Sequence, residues 1–277
     1  MNPKELQKCY DFFGKTAVIT GGGGVIGSEM AVTLAWFGAN VAILNRTAQL
    51  PERITTRIEG APGRVVLFPA DVLDMQALQV SAAQIQDEFG DVDILINAAG
   101  GNTPAAMTGP EKSFFDLPTE ALKFVFDLNV LGTILPSQVF GKGMAENKQG
   151  VILNISSMNA YRPLTRNLAY SAAKAGVSNF TQWLAGYMAQ EYSANIRVNA
   201  IAPGFFLGEQ NRYLLTDEKT GALTARGQTI MSHTPMNRFG EPADLIGTML
   251  WLLSPAAAFV TGIVVPVDGG FLACSGV

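Results

Sequence analysis

The sequence predicts one α/β domain, a doubly wound parallel sheet covered by helices on both faces. Short runs rich in β-branched residues alternate with longer amphipathic runs along nearly the whole chain. This alternation is typical of parallel strands joined by crossover helices. The chain has 277 residues, 48% of them hydrophobic, so it can bury one large core. Because no composition break or internal repeat marks a second domain, residues 1–277 are expected to form a single unit.

Seven short runs rich in aliphatic and β-branched residues are predicted as strands, each bounded on at least one side by a turn-forming residue. They are residues 16–20, 40–44, 65–68, 92–96, 151–155, 196–200 and 263–267. Six longer runs repeat apolar residues at intervals of three and four and are predicted as helices. They are residues 27–37, 50–58, 75–89, 120–145, 169–191 and 242–253. Residues 205–238 are polar and too long for a plain connection, so we interpret them as a substrate lid.

Charge and composition argue against several classes of protein. The formal net charge is −4 and the basic residues are scattered, so no surface for nucleic acid is expected. The charged N-terminus does not resemble a secretory signal, and serine, glycine and proline interrupt the apolar stretch 249–267. We therefore expect no membrane segment and a cytoplasmic location. Cys9, Cys274 and the single histidine, His233, are far apart in sequence, which argues against disulfides and metal sites.

A glycine-rich turn joins the first predicted strand to the first predicted helix. In such turns the backbone amides approach a pyrophosphate, whose charge the helix N-terminus stabilises. Taken alone, the pattern also fits a simple tight turn. Val25 interrupts the glycines, and a β-branched residue resists a positive φ, so Gly23 and Gly24 are expected to supply that freedom. Expected cofactor contacts here are Gly21, Gly23, Gly24, Val25 and Ile26.

Tyr170 and Lys174 lie four residues apart on a predicted helix and therefore share one face. A phenol has a pKa of about 10, too high for proton transfer at neutral pH, and a nearby ammonium lowers it. Ser157 follows a predicted strand and can donate a hydrogen bond to a substrate oxygen, with Ser156 as the neighbouring alternative. Such a group can deliver a proton to a carbonyl oxygen during hydride transfer. Singly, each residue also fits a structural role.

The glycine turn, Ser157, Tyr170 and Lys174, in this order and spacing, resemble the short-chain dehydrogenase/reductase family from about residue 14 to residue 271. The resemblance implies a Rossmann-type fold and an NAD(P)-dependent oxidoreductase. It implies that Asn129 holds a water in a proton relay and that Lys174 also binds the nicotinamide ribose. Further cofactor contacts implied by the resemblance are Asp71, Val72, Asn97, Ala98, Ala99, Gly100, Tyr170, Pro203, Gly204 and Phe206.

The choice between NAD and NADP depends on the end of the second predicted strand. NAD enzymes of this architecture usually carry an acidic residue there, which binds the ribose hydroxyls and repels a phosphate. Asn45 is neutral, and Arg46 can pair with a 2′-phosphate or stack on the adenine. These residues favour NADP(H), with NAD(H) still possible because Asn45 can bond a free hydroxyl.

Residues 202–215 and 234–242 resemble the D-mannonate oxidoreductase (fructuronate reductase) branch of the family, which implies a sugar acid as substrate. The hydroxyls of a sugar acid need hydrogen-bonding side chains. The candidates are Asn102, Asn159, Gln210 and Asn211. Its carboxylate needs a cation, and a guanidinium matches it bidentately. The candidates are Arg162, Arg166 and Arg212, and for each a surface ion pair is an equal alternative. Gly208 departs from the threonine common at its position.

Two other functions remain open from the sequence. One is a reductase of the same fold that acts on a gluconate-type sugar acid or a 3-oxoacyl thioester, although the polar lid argues against an acyl tunnel. The other is a non-catalytic protein that senses NAD(P). The complete set of catalytic residues argues against a sensor, since fold alone does not settle function. The resemblance also implies a homo-oligomer, a dimer or a tetramer, with a small-molecule substrate.

Overall fold

The structure, a computed structural model, describes residues 2–208, 212–217 and 220–274. The described residues form one sheet of seven parallel strands in the order β3-β2-β1-β4-β5-β6-β7. The strands are β1 Thr16–Thr20, β2 Asn40–Asn45, β3 Val65–Pro69, β4 Ile94–Asn97, β5 Gly150–Ile155, β6 Ile196–Pro203 and β7 Val264–Val267. The strand order reverses between β1 and β4, where a crevice opens at the carboxyl ends of the strands. The predicted fold class is confirmed.

Helices cover both faces of this sheet. They are α1 Pro3–Cys9, α2 Val25–Trp36, α3 Glu52–Thr55, α4 Met75–Phe89, α5 Thr119–Phe126, α6 Gly132–Glu146, α7 Leu168–Glu191, α8 Arg212–Leu215, α9 Ala225–Ser232 and α10 Ile246–Leu253. One apolar core packs α2 and α10 against the first face, and a second packs α4, α6 and α7 against the other. Neighbouring strand residues alternate between the two cores, as Val18 and Ile19 do. Strands that are covered on both faces have nearly continuous apolar sequences. For this reason the strands could be predicted from the sequence.

Three helices differ from the predicted pattern. The run 120–145 is two helices, α5 and α6, joined by a π-helical turn, Asp127–Leu131. The run 50–58 contains only the short helix α3, which begins after Pro51. Helix α1 is additional, and its N-terminus is closed by a capping box in which Asn2 accepts from the Glu5 backbone and Glu5 accepts in return. A cap of this kind stabilises a helix that is too short to show a clear periodicity.

Among the described residues, one helical stretch, Thr119–Glu146, has the length and composition of a membrane span, with a hydropathy of 1.2. Phe140 and Met144 of this stretch are buried in the core beneath the sheet. We interpret it as a core helix, because Phe140 and Met144 are covered by the protein itself.

The segment predicted as a lid contains helices α8 and α9, and it is described at residues 205–208, 212–217 and 220–238. The two helices touch closely, since a β-carbon on Gly227 would lie 2.2 Å from the Leu215 carbonyl oxygen. Phe206 pairs with Gly240 in an isolated parallel bridge, which fixes the start of the segment to its far end. Gln210 and Asn211, predicted as substrate contacts, lie outside the described residues. The lid function stays a prediction.

Candidate active site

The glycine turn lies at the carboxyl edge of the sheet, between β1 and α2. Gly21 has φ +63°, and a β-carbon there would lie 2.8 Å from the Ala99 Cα. A β-carbon on Gly27 would lie 2.6 Å from the Gly21 carbonyl oxygen. Val25 is the first residue of α2 and takes a helical backbone, so no positive φ is needed there. The left-handed conformation falls on Gly21, which corrects the prediction that Gly23 and Gly24 supply it.

Ser157, Tyr170 and Lys174 meet where β5 ends and α7 begins. Ser157 follows β5, and its hydroxyl is hydrogen-bonded to the Tyr170 phenol. Lys174 is one helical turn after Tyr170, and its ammonium lies 5.7 Å from the centroid of the Tyr170 ring. The ammonium is buried and donates to the Ile155 carbonyl oxygen at 2.7 Å. The helical spacing read from the sequence therefore brings the predicted groups together.

Burial shifts the pKa values of both ionisable groups. Desolvation raises the pKa of Tyr170, and the hydrogen bond with Ser157 opposes that shift. Desolvation also lowers the pKa of Lys174 to about 8. In this structure desolvation outweighs the lowering of the tyrosine pKa that was expected from Lys174. The physical reason is that the ammonium bonds the Ile155 carbonyl rather than the phenol.

Asn129 is buried in the π-helical turn and is fixed on several sides. Its Nδ2 donates to the carbonyl oxygens of Gly101 and Val125 at 2.7 and 2.8 Å, and its Oδ1 accepts from the Gly101 amide at 3.2 Å. A β-carbon on Gly100 would lie 2.8 Å from this Oδ1 and 3.1 Å from the Lys174 Nζ. Asn129 and Lys174 therefore flank the same glycine. The role of Asn129 in holding a water stays a prediction.

A groove of about 470 Å³ runs from the glycine turn to Ser157 and Tyr170. Of the predicted cofactor contacts, those lining it are Gly21, Gly23, Gly24, Val25, Ile26, Ala98, Gly100, Tyr170, Pro203, Gly204 and Phe206. The wall also contains residues that were not among the predicted cofactor contacts: Gly27, Arg53, Ile155, Ser156, Phe205, Leu207 and Gly208. Close backbone packing around the glycines leaves room for a pyrophosphate at one end, and the reactive side chains lie at the other. These residues fit a dinucleotide.

The remaining predicted cofactor contacts do not line this groove. They are Asn45, Arg46, Asp71, Val72, Asn97, Ala99 and Lys174. Asn97 is buried and donates to Ser137 and Asn154 at 3.0 and 2.9 Å, so its side chain joins β4 to β5 and α6. Asn45 donates to Thr47 at 2.6 Å and faces the glycine turn at Gly23. Among the described residues, no cluster of histidine, cysteine or acidic side chains is arranged to hold a metal.

A second cavity of about 270 Å³ adjoins Ser157 and Tyr170 on the side away from the glycine turn. Its polar wall contains three amides and one guanidinium, from Asn102, Asn159, Asn167 and Arg226. Asn102 donates to Asn167 at 3.3 Å, which ties the loop after β4 to the start of α7. The backbone amide of Asn159 donates to the Ser157 hydroxyl at 3.2 Å. Its position next to Ser157 and Tyr170 makes this cavity the candidate substrate site.

The predicted arginines lie elsewhere. Arg162 donates to the carbonyl oxygens of Leu272 and Cys274 at 3.5 and 3.0 Å, so it holds the C-terminal segment. Arg166 and Arg212 are exposed and do not line the cavity. Arg226 does line it, and the sequence gave no periodic or motif signal for it. Only the folding of α9 back over the sheet edge brings Arg226 there.

Comparison with known proteins agrees with this geometry. A family model described as enoyl-(acyl carrier protein) reductase matches residues 23–272. An uncharacterized oxidoreductase from Bacillus subtilis, UxuB, is 50% identical, covering 95% of this chain and 97% of its own. Two Escherichia coli relatives are a 7alpha-hydroxysteroid dehydrogenase, 34% identical over 93% and 94% of the two chains, and a 5-keto-D-gluconate 5-reductase, 31% identical over 96% and 99%.

A solved structure from Haemophilus influenzae, provisionally assigned as a D-mannonate oxidoreductase, contains bound NAD. It is 44% identical to this chain, with a TM-score of 0.90 over 98% of this chain and 100% of its own. The likeness extends over the whole fold, including the sheet edge where the groove and the cavity meet.

Proposed function

The chain belongs to the short-chain dehydrogenase/reductase family and is an oxidoreductase acting on CH–OH groups, and we propose that its substrate is an open-chain six-carbon sugar acid. The first pair to test is D-mannonate and D-fructuronate, in which the alcohol and ketone lie at carbon 5. Support comes from the sugar-acid names among its relatives and from the provisional assignment of the Haemophilus influenzae structure. Gluconate-type sugar acids are the nearest alternatives.

The observation that carries this proposal is the polar wall of the cavity. Asn159 is only 5% exposed, it lines the cavity, and its side-chain amide makes no hydrogen bond with the described residues. This amide is therefore free to bond a substrate hydroxyl, and covering it with an apolar group would cost the hydrogen bonds that it makes with solvent. Asn102 and Asn167 add two further amides beside it. A polyhydroxylated chain fits this wall, whereas a steroid or an acyl chain would cover the Asn159 amide without bonding it.

The side chains act on the substrate oxygen. The nicotinamide cofactor supplies or accepts the hydride when bound. In the reducing direction, Ser157 and Tyr170 both donate hydrogen bonds to the carbonyl oxygen, and the Tyr170 proton moves to that oxygen as negative charge develops on it. Lys174 remains mostly protonated at neutral pH, because its pKa is about 8, and its positive charge stabilises the resulting tyrosinate. In the oxidising direction the same proton returns to Tyr170.

NADP(H) as the preferred cofactor is part of the proposal. It is supported by the missing carboxylate at Asn45, by the exposed Arg46 and by Arg53 in the groove wall. The related structure holds NAD, so the test is a direct titration with both cofactors. A lower Kd for NADPH is expected. Tighter binding of NADH would overturn the preference without touching the substrate assignment.

The substrate test is a panel of ketones assayed with each reduced cofactor. It contains D-fructuronate, 5-keto-D-gluconate, D-fructose, a 3-oxoacyl thioester and a 7-keto steroid. We expect kcat/KM to be highest for D-fructuronate, at least a hundredfold above the thioester and the steroid. A higher kcat/KM for the thioester or the steroid than for D-fructuronate would refute the sugar-acid function.

Substitution of the proton donor separates catalysis from sensing. Tyr170→Phe should lower kcat at least a hundredfold, the lower end of what a proton donor contributes, with cofactor Kd nearly unchanged. Tyr161→Phe is the matched control, since its hydroxyl bonds the Val264 carbonyl oxygen instead. Turnover by Tyr170→Phe within tenfold of the wild type would contradict the assigned role. A wild type that binds cofactor but reduces nothing in the panel would favour a sensor.

A homo-oligomer in the cytoplasm also belongs to the proposal. Helix α7 carries an exposed aromatic stripe in which the rings of Trp183 and Tyr187 stack at 5.0 Å. Apolar surface of this kind is commonly covered by a partner. Light scattering should give a dimer or tetramer mass, and a monomer at micromolar concentration would count against it.

A further inference from the structure

Arg226 occupies an unfavourable position beside the substrate cavity. It is the second residue of α9 and lies half-buried in the same cavity wall as Ser157 and Tyr170. Its guanidinium makes no hydrogen bond and no ion pair with any described residue. The positive end of the helix dipole also disfavours a cation in the first turn. Helix stability therefore does not explain an arginine here.

A second positive charge acts on Arg226. Burial, and then the charge of Arg166, lower the pKa of the Arg226 guanidinium. Arg166 itself has φ +77°, a left-handed conformation that is uncommon for a residue with a side chain. Its carbonyl oxygen accepts from the Thr108 amide at 3.2 Å, which holds the strained residue in place. Two repelling guanidinium groups are thus kept near one cavity whose wall, as far as the described residues form it, contains no carboxylate.

We propose that Arg226 binds the carboxylate of the substrate and that Arg166 strengthens this site as a second positive charge. The inference rests on the proposed function and names the residue that distinguishes a sugar acid from its neutral counterpart. In a six-carbon acid reduced at carbon 5, the carboxylate lies four carbon–carbon bonds from the reacting carbon. Ser157 and Tyr170 hold the oxygen at one end, and Arg226 receives the carboxylate at the other. Asn159 lies in the same wall.

The other cations of this region do not fit the role. Arg162 already donates to two C-terminal carbonyl oxygens. Arg212 is exposed on α8 and does not line the cavity. Lys174 is buried against the Ile155 carbonyl oxygen on the catalytic side. Arg226 is the guanidinium that the described cavity wall contains.

The test compares D-fructuronate with D-fructose, which differ only in having a carboxylate or a hydroxymethyl group at the distal end. The quantity measured is the ratio of kcat/KM for the acid to kcat/KM for the ketose. Arg226→Gln should lower this ratio at least tenfold, mainly through the KM of the acid. Arg226→Lys should retain part of it, because lysine keeps the charge but not the bidentate fork. Arg212→Gln is the matched control and should leave the ratio within twofold.

Each outcome bears on the proposal. An unchanged ratio in Arg226→Gln would overturn the carboxylate contact and leave the sugar-acid function standing. If the wild type shows the same kcat/KM for D-fructuronate and D-fructose, both the carboxylate contact and the sugar-acid function are refuted. Cofactor Kd and the melting temperature show whether a variant is folded. Salt gives a second measurement on the wild type: the KM for the acid should rise with ionic strength and that for D-fructose should not, and equal responses would also refute the site.

Discussion

The buried ammonium of Lys174 should make the stability of the protein depend on pH, and replacing it with methionine should remove that dependence. Lys174 is 4% exposed, and burial lowers its pKa from 10.5 to about 8. Methionine has a similar length, is neutral and tolerates apolar surroundings. It leaves the Ile155 carbonyl oxygen without its present donor, which costs some stability at every pH. The pH-dependent part of the difference therefore isolates the charge.

The sign follows from the proton balance. Between about pH 8 and pH 10.5 the unfolded chain binds a proton at Lys174 that the folded chain has lost, so the free energy of unfolding rises with pH. Below pH 8 both states are protonated and the full penalty of burying the charge applies. A shift of this size corresponds to about 3 kcal/mol, of which about 2.5 kcal/mol is relieved between pH 7 and pH 10.

Urea unfolding of the wild type and of Lys174→Met at pH 7 and pH 10 measures this effect. From pH 7 to pH 10, the wild type should gain about 2.5 kcal/mol relative to the variant. Measurements stop at pH 10, because the raised pKa of Tyr170 lowers stability above that point. Lys142, whose side chain is 77% exposed, gives the matched control, and Lys142→Met should show no such change. A constant difference between wild type and Lys174→Met would show that the ammonium is not desolvated.

Two further substitutions test the packing around the site and far from it. Gly100→Ala places a β-carbon 2.8 Å from the Asn129 Oδ1, so kcat/KM should fall at least tenfold with the fold retained. Gly143→Ala on α6, where a β-carbon meets no neighbouring atom within 4 Å, is the control, and equal activities of the two variants would refute the prediction. Arg197 is buried and donates to carbonyl oxygens at the end of α10. Arg197→Met should therefore lower the free energy of unfolding, measured in urea, by about 2–4 kcal/mol. The activity per folded molecule should not change. The exposed Arg64→Met should cost much less, and a similar loss there would contradict this explanation.

The strands and the catalytic pair were predictable, because a short-range rule governs each. Residues such as Val18 and Ile19 are buried on opposite faces, so apolar character alone locates a strand. The four-residue interval between Tyr170 and Lys174 fixes their common face once the helix forms. A π-helical turn is different, because one inserted residue leaves the apolar pattern on either side intact. Asn129 was found through family resemblance, and its position in such a turn was not foreseen.

Arg226 was missed because its role depends on tertiary folding. Nothing in the sequence of α9 separates it from a solvated arginine, and only the return of the segment over the sheet edge places it beside Ser157. The predicted candidate Arg162 shows the converse: it is closer in sequence to Ser157, yet its guanidinium holds the C-terminal segment. Proximity along the chain is therefore a poor guide to the residues that contact a substrate.

Several unusual features of this structure lie near one cavity. Lys174 is a buried cation, Asn159 a wall amide that makes no hydrogen bond with the described residues, Arg166 a strained residue, and Arg226 a cation in the first turn of a helix. The placed charges and the strained backbone lower the stability of the folded chain, and strain of this kind persists where binding or catalysis requires it. A protein that only sensed its cofactor would need none of the three on the substrate side. Their concentration next to Ser157 and Tyr170 favours an enzyme with a polar, anionic substrate over a sensor, and over a reductase of an apolar chain.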